Sequence, residues 1–264
     1  MAHKRGKRLV VRVLVCIKQV WEPESLFNIQ GAELRPRPPL RRKISSYDEL
    51  ALEEALRLKD RLPHTQVTAL SVGPEPVVEA LRRALGMGVD QAVHLIAPET
   101  PPPRPASLAA WIAAYAREQS FDLILTGVMS EDAMQGAVGP MLAVRLGLPL
   151  VTSVVSLEVA GGALKVKREM EGGRRQTMAL PLPGLLTIQS GPAQPRYPTL
   201  SALLRAKKTT PLTLTAAELA DPVTREDILA LAPPEKRRAG LVLEGDPSQK
   251  AQRLLAILRE RSLL

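Results

Sequence analysis

Between residues 9 and 146, apolar strand-like runs alternate with segments of helical periodicity, and that alternation leaves few architectures open. Residues 9–17 are rich in β-branched side chains and read as a buried strand. After a Pro- and Arg-containing connection over 19–43, Ser46-Tyr47-Asp48-Glu49 has the form of a capping box. Ala51, Leu52, Ala55, Leu56 and Leu62 follow at helical spacing, so 48–61 is expected to be a helix. The pattern then repeats: strand 67–72, helix 76–86, strand 92–96, helix 106–119, strand 121–126, helix 135–146. Strands separated by helices of this length predict an α/β fold, a doubly wound and mostly parallel sheet.

The pattern changes after Pro149. Residues 151–159 and 163–169 flank Ala160-Gly161-Gly162, and 176–180 follows Glu171-Gly172-Gly173. These read as added antiparallel hairpins, with the turn glycines taking positive φ. Another apolar strand is expected at 185–189. From Thr209 the chain is proline-rich, with too little apolar content for a core of its own, and ends in a helix near 248–261. Two domains are therefore expected: an α/β domain over 1–208 and an extended C-terminal arm over 209–264. The arm either wraps a partner subunit or packs back on its own domain.

Composition removes several function classes. No apolar run approaches the roughly 20 residues needed to cross a bilayer, so no membrane insertion is expected. Cys16 is the single cysteine, which leaves no disulfide framework or thiolate cluster and suits a cytoplasmic location. His3, His64 and His94 are scattered without metal-ligand spacing. The net charge of +9 invites nucleic acid as a partner. However, the basic residues crowd at Lys4, Arg5, Lys7, Arg8 and Arg12 and at Arg35, Arg37, Arg41, Arg42 and Lys43, without interleaved aromatics for base stacking. No nucleic-acid partner is expected.

Ligands of open α/β sheets bind beyond the carboxyl ends of the strands. Those ends are Cys16-Ile17, Val72-Gly73 and Thr126-Gly127, and the last runs through a loop to Gln135, Gly136, Ala137 and Val138. That loop feeds a helix whose free N–H groups suit a phosphate, and Gly136 permits close approach. Neither a P-loop nor a dinucleotide fingerprint is present. No serine sits in a nucleophile elbow, and Glu131 and Asp132 make a poor acid–base pair on a loop. Cys16 reads as a packing residue, and no catalytic set is identified. A binding or carrier role leads.

Specific strings carry a resemblance. They are Val13-Leu14-Val15-Cys16-Ile17-Lys18-Gln19-Val20, the stretch from Ser45 through Lys59, Ala84-Leu85-Gly86-Met87-Gly88-Val89-Asp90 and Glu169-Met170-Glu171-Gly172-Gly173. The most specific is Gln194-Pro195-Arg196-Tyr197-Pro198-Thr199-Leu200, with Lys207-Lys208 behind it. Together they resemble the β subunit of electron transfer flavoprotein, in order from about Val10 to Lys208.

The resemblance implies an adenine-nucleotide α-hydrolase-like fold and an electron carrier, not an enzyme. It implies an α-subunit partner holding most of an FAD, dehydrogenases as electron donors, and AMP, or a second FAD, on this chain. The implied nucleotide contacts are Cys16, Ser45, Ser46, Tyr47, Asp48, Val72, Gly127, Asp132, Gln135, Gly136, Ala137 and Val138. Asp132 and Gly136 keep the family pattern, whereas Met134 replaces a second aspartate and Ala137 a glutamine. The implied docking residues are Pro192, Pro195, Arg196 and Tyr197, with Pro192 at the place of a family leucine. The competing reading is a stand-alone adenine-nucleotide-binding regulator of the universal-stress kind.

Overall fold

The computed structural model describes residues 11–22, 27–30, 33–38, 41–62, 64–99, 102–160, 163–191, 194–219, 229–230, 232 and 240–264. The strands and helices in chain order are β1 (Arg12–Cys16), β2 (Gln19–Trp21), β3 (Phe27–Gln30), β4 (Glu33–Pro36), β5 (Arg42–Ile44), α1 (Ser46–Arg61), β6 (Gln66–Gly73), α2 (Val78–Met87), β7 (Gln91–Ile96) and α3 (Pro105–Arg117). They continue as β8 (Leu123–Gly127), α4 (Val138–Leu146), β9 (Leu150–Ala160), β10 (Ala163–Glu169), β11 (Arg175–Leu180), β12 (Gly184–Ile188), α5 (Leu200–Lys208), β13 (Leu212–Thr215), α6 (Ala216–Leu219) and α7 (Pro247–Glu260).

One nine-stranded sheet, ordered β11-β10-β9-β12-β8-β1-β6-β7-β13, organises the fold. From β9 and β12 across to β13 every neighbour pairs parallel, while β9, β10 and β11 pair antiparallel. The expected α/β class and the added hairpins are both present. Burial on both faces explains the apolar strands. Along β1, Val13 and Val15 join Leu52 and Leu56 of α1 and Leu81 of α2. Leu14 and Cys16 face the other side, with Trp111 and Ile112 of α3 and Leu142 of α4.

The strand order reverses at β1. The chain steps from β1 to β6 to β7 in one direction, then returns so that β8 and β12 lie on the other side of β1. The carboxyl ends of β1 and β8 therefore diverge beside one another, at the place where this architecture opens a crevice.

Four local differences from the sequence expectations have physical causes. Helix α4 begins at Val138, not at 135, because Met134 (φ 51°) and Gly136 (φ 60°) adopt left-handed backbone that a right-handed helix cannot contain. The 19–43 connection carries short strands, and β2 pairs antiparallel with β5 over Gln19–Trp21. The capping box is not made: Ser45 is the N-cap of α1 without a side-chain cap bond, Ser46 is already helical, and Glu49 accepts from Arg83 Nε at 2.8 Å. Finally, β13 extends the sheet beside β7, with Leu212 opposite Val93 and Leu214 opposite Leu95.

The turn glycines Gly172 and Gly173 have the expected positive φ, whereas Gly161 and Gly162 lie outside the described residues, as do Lys4, Arg5, Lys7 and Arg8. The chain divides into two compact units, Met1–Phe27 with Pro36–Asp227, and Asn28–Arg35 with Ile228–Leu264. Within the second, α7 has a full capping box between Asp246 and Gln249 and exposes Leu254 and Leu255. No helix among the described residues is long and apolar enough to cross a membrane.

Candidate functional site

Asp48 joins the two diverging strand ends. It lies in the first turn of α1 and is buried. Its Oδ2 accepts from the Lys18 amide just beyond β1, and its Oδ1 accepts from the Gly127 amide at the end of β8, both at 2.8 Å. The Ser45 amide also donates to the Lys18 carbonyl at 2.9 Å, so the start of α1 is held on the strand by backbone as well. Burial pushes the Asp48 carboxyl up to about 7, against the pull of the two amides and the Lys18 ammonium, and the nearby Asp132 charge adds to the rise.

The loop after β8 supplies two more carboxylates, each matched to a lysine. Glu131 accepts from the Ser46 amide at 3.1 Å, from Ser46 Oγ at 2.8 Å and from Lys43 Nζ at 3.0 Å. It thus takes the first amide of α1 from outside the helix and also engages the Ser46 hydroxyl, which the capping box would have used. Asp132 pairs with Lys18 Nζ at 2.7 Å and accepts from the Ala133 amide at 2.7 Å. Burial opposes ionisation of both groups, but these partners outweigh it and hold both carboxyls below their ordinary range. The two side chains serve different lysines and do not form an acid–base pair.

Gly127 is required by close approach. A Cβ there would stand 2.5 Å from Asp48 Oδ1 and 2.7 Å from Tyr47 Cβ. Gly136 answers a backbone need, since its φ of 60° is costly for most side chains. Of the four amides expected to face a phosphate, only that of Val138 belongs to α4; Gln135, Gly136 and Ala137 precede it. The amides of Val138 and Gly139 have no intrahelical acceptor, and Pro140 contributes none.

The structure therefore gathers Cys16, Ser45, Ser46, Tyr47, Asp48, Gly127 and Asp132 around the reversal of strand order, with Val72 half-buried at the end of the neighbouring β6. Cys16 is buried against the sheet, and burial, with Asp48 adding, pushes its thiol far up, which suits packing and not nucleophilic attack. The Ser45 hydroxyl is buried without a hydrogen-bond partner among the described residues. His94 is also buried, with Nε2 at 2.9 Å from the Gly73 carbonyl, a structural contact. Among the described residues no group of side chains could hold a metal ion. The expected site residues omitted Lys18, Lys43 and Glu131. Lys18 directly follows a strand end, which is a readable signal, whereas Lys43 and Glu131 meet only through tertiary structure.

The other expected residues lie elsewhere. Arg196 turns inward, with Nε at 2.9 Å from Glu53 Oε2 and Nη2 at 2.8 Å from Asp60 Oδ2. Tyr197 is 86% exposed. Pro195 precedes them outside regular secondary structure, and Pro192 lies outside the described residues.

Comparisons with known proteins place the chain in a family. A family model described as "Electron transfer flavoprotein domain" matches residues 40–219. The chain is 37% identical over 228 residues to "Electron transfer flavoprotein subunit beta" of Bacillus subtilis, covering 83% of this chain and 86% of that protein. It is 30% identical to the protein of that name from Syntrophomonas wolfei, covering 92% and 94%, and 30% identical to the one from Homo sapiens, covering 89% and 93%. On the family match and these relatives, the chain belongs to the electron transfer flavoprotein family, among its beta subunits.

Proposed function

We propose that this chain is the β half of a two-subunit electron carrier that takes electrons from dehydrogenases, and that its own crevice holds AMP as a structural ligand. The observation that carries the nucleotide reading is the Asp48 bridge between Lys18 and Gly127, which joins the two strand ends at the reversal of strand order, where this architecture places its ligand. The residues present fit the group. Glu131 and Asp132 are each neutralised by a lysine, so the anion-holding groups are the amides around Gly136 and the first turn of α4. A helix N-terminus favours an anion by about 0.3–1 kcal/mol even when exposed. The unpartnered Ser45 hydroxyl is a buried polar group beside the same edge.

In this reading Asp48 orients the two strand ends, Gly127 lets α1 close against β8, and the 130–132 loop stays pinned by Lys18 and Lys43. FAD, held mainly by an α-type partner, supplies the redox chemistry. No catalytic residue is assigned to this chain. The arm beyond the α/β unit, ending in α7, is the segment proposed to grip that partner. Its exposed Leu254 and Leu255 leave an apolar stripe that a helix of 14 residues does not bury by itself.

Titration calorimetry of the purified chain with AMP, ATP and FAD tests the crevice. AMP is expected to bind without turnover, and Gly136→Glu to abolish binding by filling the phosphate position with bulk and negative charge. Gly136→Asn, which tolerates left-handed backbone, controls for strain. ATP hydrolysis would favour a stand-alone nucleotide-binding protein, and absence of AMP binding would remove the nucleotide reading.

A further inference from the structure

Helix α1 carries a row of carboxylates along one side. Glu49, Glu53 and Asp60 fall within about 40° of one another on a helix of 3.6 residues per turn. Each holds an arginine. Glu53, only 5% exposed, accepts from Arg196 three times: the amide at 3.0 Å, Nε at 2.9 Å and Nη2 at 3.0 Å. Asp60 accepts from the same Nη2. Glu49 holds Arg83 of α2, whose guanidinium lies 5.8 Å from the centre of the Tyr197 ring. On the opposite flank, a Cβ at Gly86 would stand 3.0 Å from Leu203 Cδ2 and 3.1 Å from Pro198 Cβ, so the segment after Arg196 and the start of α5 press onto bare α2 backbone.

We propose that Arg196 is a positioning residue: Glu53 and Asp60 clamp it to α1 so that Tyr197 and the first turn of α5 present one preformed outward surface. Nε and Nη2 of Arg196 are directed to carboxylates of its own chain, and its planar fork matches the Glu53 carboxylate as a lysine does not. Three large apolar side chains remain outward, beside the exposed Thr199, Ser201 and Arg205. Tyr197, Leu200 and Leu204 are exposed, and Thr199 caps α5 by accepting from the Ala202 amide at 3.2 Å. A segment without regular backbone pairing otherwise loses conformational freedom when a partner binds, and a clamp that orders it beforehand lowers that cost.

This inference deepens the carrier reading and rests on it for the use of the surface, though not for the clamp. The test uses the complete heterodimer with Glu53→Gln, Arg196→Lys, Tyr197→Ala and Leu200→Ala. Limited trypsin digestion, with the cut after position 196 followed by mass spectrometry, reads the clamp. Reduction of the bound flavin by purified flavin-dependent dehydrogenases reads docking, carrying through the variants the one that reduces the wild-type heterodimer fastest.

Glu53→Gln and Arg196→Lys are expected to speed the cut at least tenfold and to raise the apparent KM for the heterodimer at least fivefold. The flavin spectrum and kcat are expected to stay unchanged. Unchanged cutting overturns the clamp. Faster cutting with an unchanged KM, while Tyr197→Ala or Leu200→Ala raises KM, overturns the positioning role. If those two outward variants also leave KM unchanged, it is the docking reading that fails.

Discussion

Asp48 accepts two backbone amides at once in a buried place, and both facts have measurable consequences. Its carboxyl is raised to about 7, against roughly 3.9 in an unfolded chain, so the folded state holds this proton more tightly. The stabilisation from that proton is fully present below about pH 4, falls as pH rises and is gone above about 7. Asp48→Asn can accept only one of the two amides and leaves the other buried donor unpaired, at about 1–3 kcal/mol. The stability gap between wild type and Asp48→Asn, from urea unfolding, is therefore expected to narrow between pH 4 and 7; a widening gap would contradict the assignment. Gly127→Ala is expected to cost about 1–3 kcal/mol by overpacking, because its Cβ has Asp48 Oδ1 and Tyr47 Cβ in the way. Unfolding of that variant checks it, and a neutral result would mean that α1 is free to shift. At this scale the sequence was readable only in part. Cys16, Asp48 and Gly127 stand at strand ends or a helix start, where periodicity points. Lys43 and Glu131 are distant in sequence and become partners only when the 130–132 loop folds over α1.

Among the elements, strands were legible where burial on both faces forces continuous apolar runs, as in β1, β6 and β8. The start of α4 was not, because its apparent periodicity continues back through Gln135 while the left-handed backbone at Met134 and Gly136 interrupts it. β13 was not legible for another reason: Leu-Thr-Leu-Thr is short, follows Pro211 and gains its strand character from pairing with β7. That pairing fixes where an arm can be cut. A truncation after Asp227 keeps β13 and removes α7, so the thermal midpoint of the α/β unit is expected to move by only a few degrees, while association with an α-type subunit weakens strongly. Calorimetric melting and analytical ultracentrifugation check the two halves of that statement. Loss of folding would show that the second unit supports the first, and unchanged association would remove the arm's proposed role.

For the molecule as a whole, the architecture and the family were within reach of the sequence, since alternation set the sheet and the 194–200 string set the relatives. The reversal of strand order at β1, which locates the crevice, is a property of the whole sheet and follows from no single segment. Charge is also a whole-molecule property: the +9 balance includes Lys18, Lys43, Arg83 and Arg196, whose charges are matched by internal carboxylates. In the proposed function this chain binds a nucleotide in that crevice and completes a flavin site only with an α-type subunit. Cofactor content measures it directly, by purifying the chain alone and co-expressed with that subunit, denaturing both and quantifying the released FAD and AMP. AMP without stoichiometric flavin is expected from the chain alone, and a yellow complex with about one FAD and one AMP per heterodimer; a colourless complex, or one without nucleotide on this chain, would rule this function out.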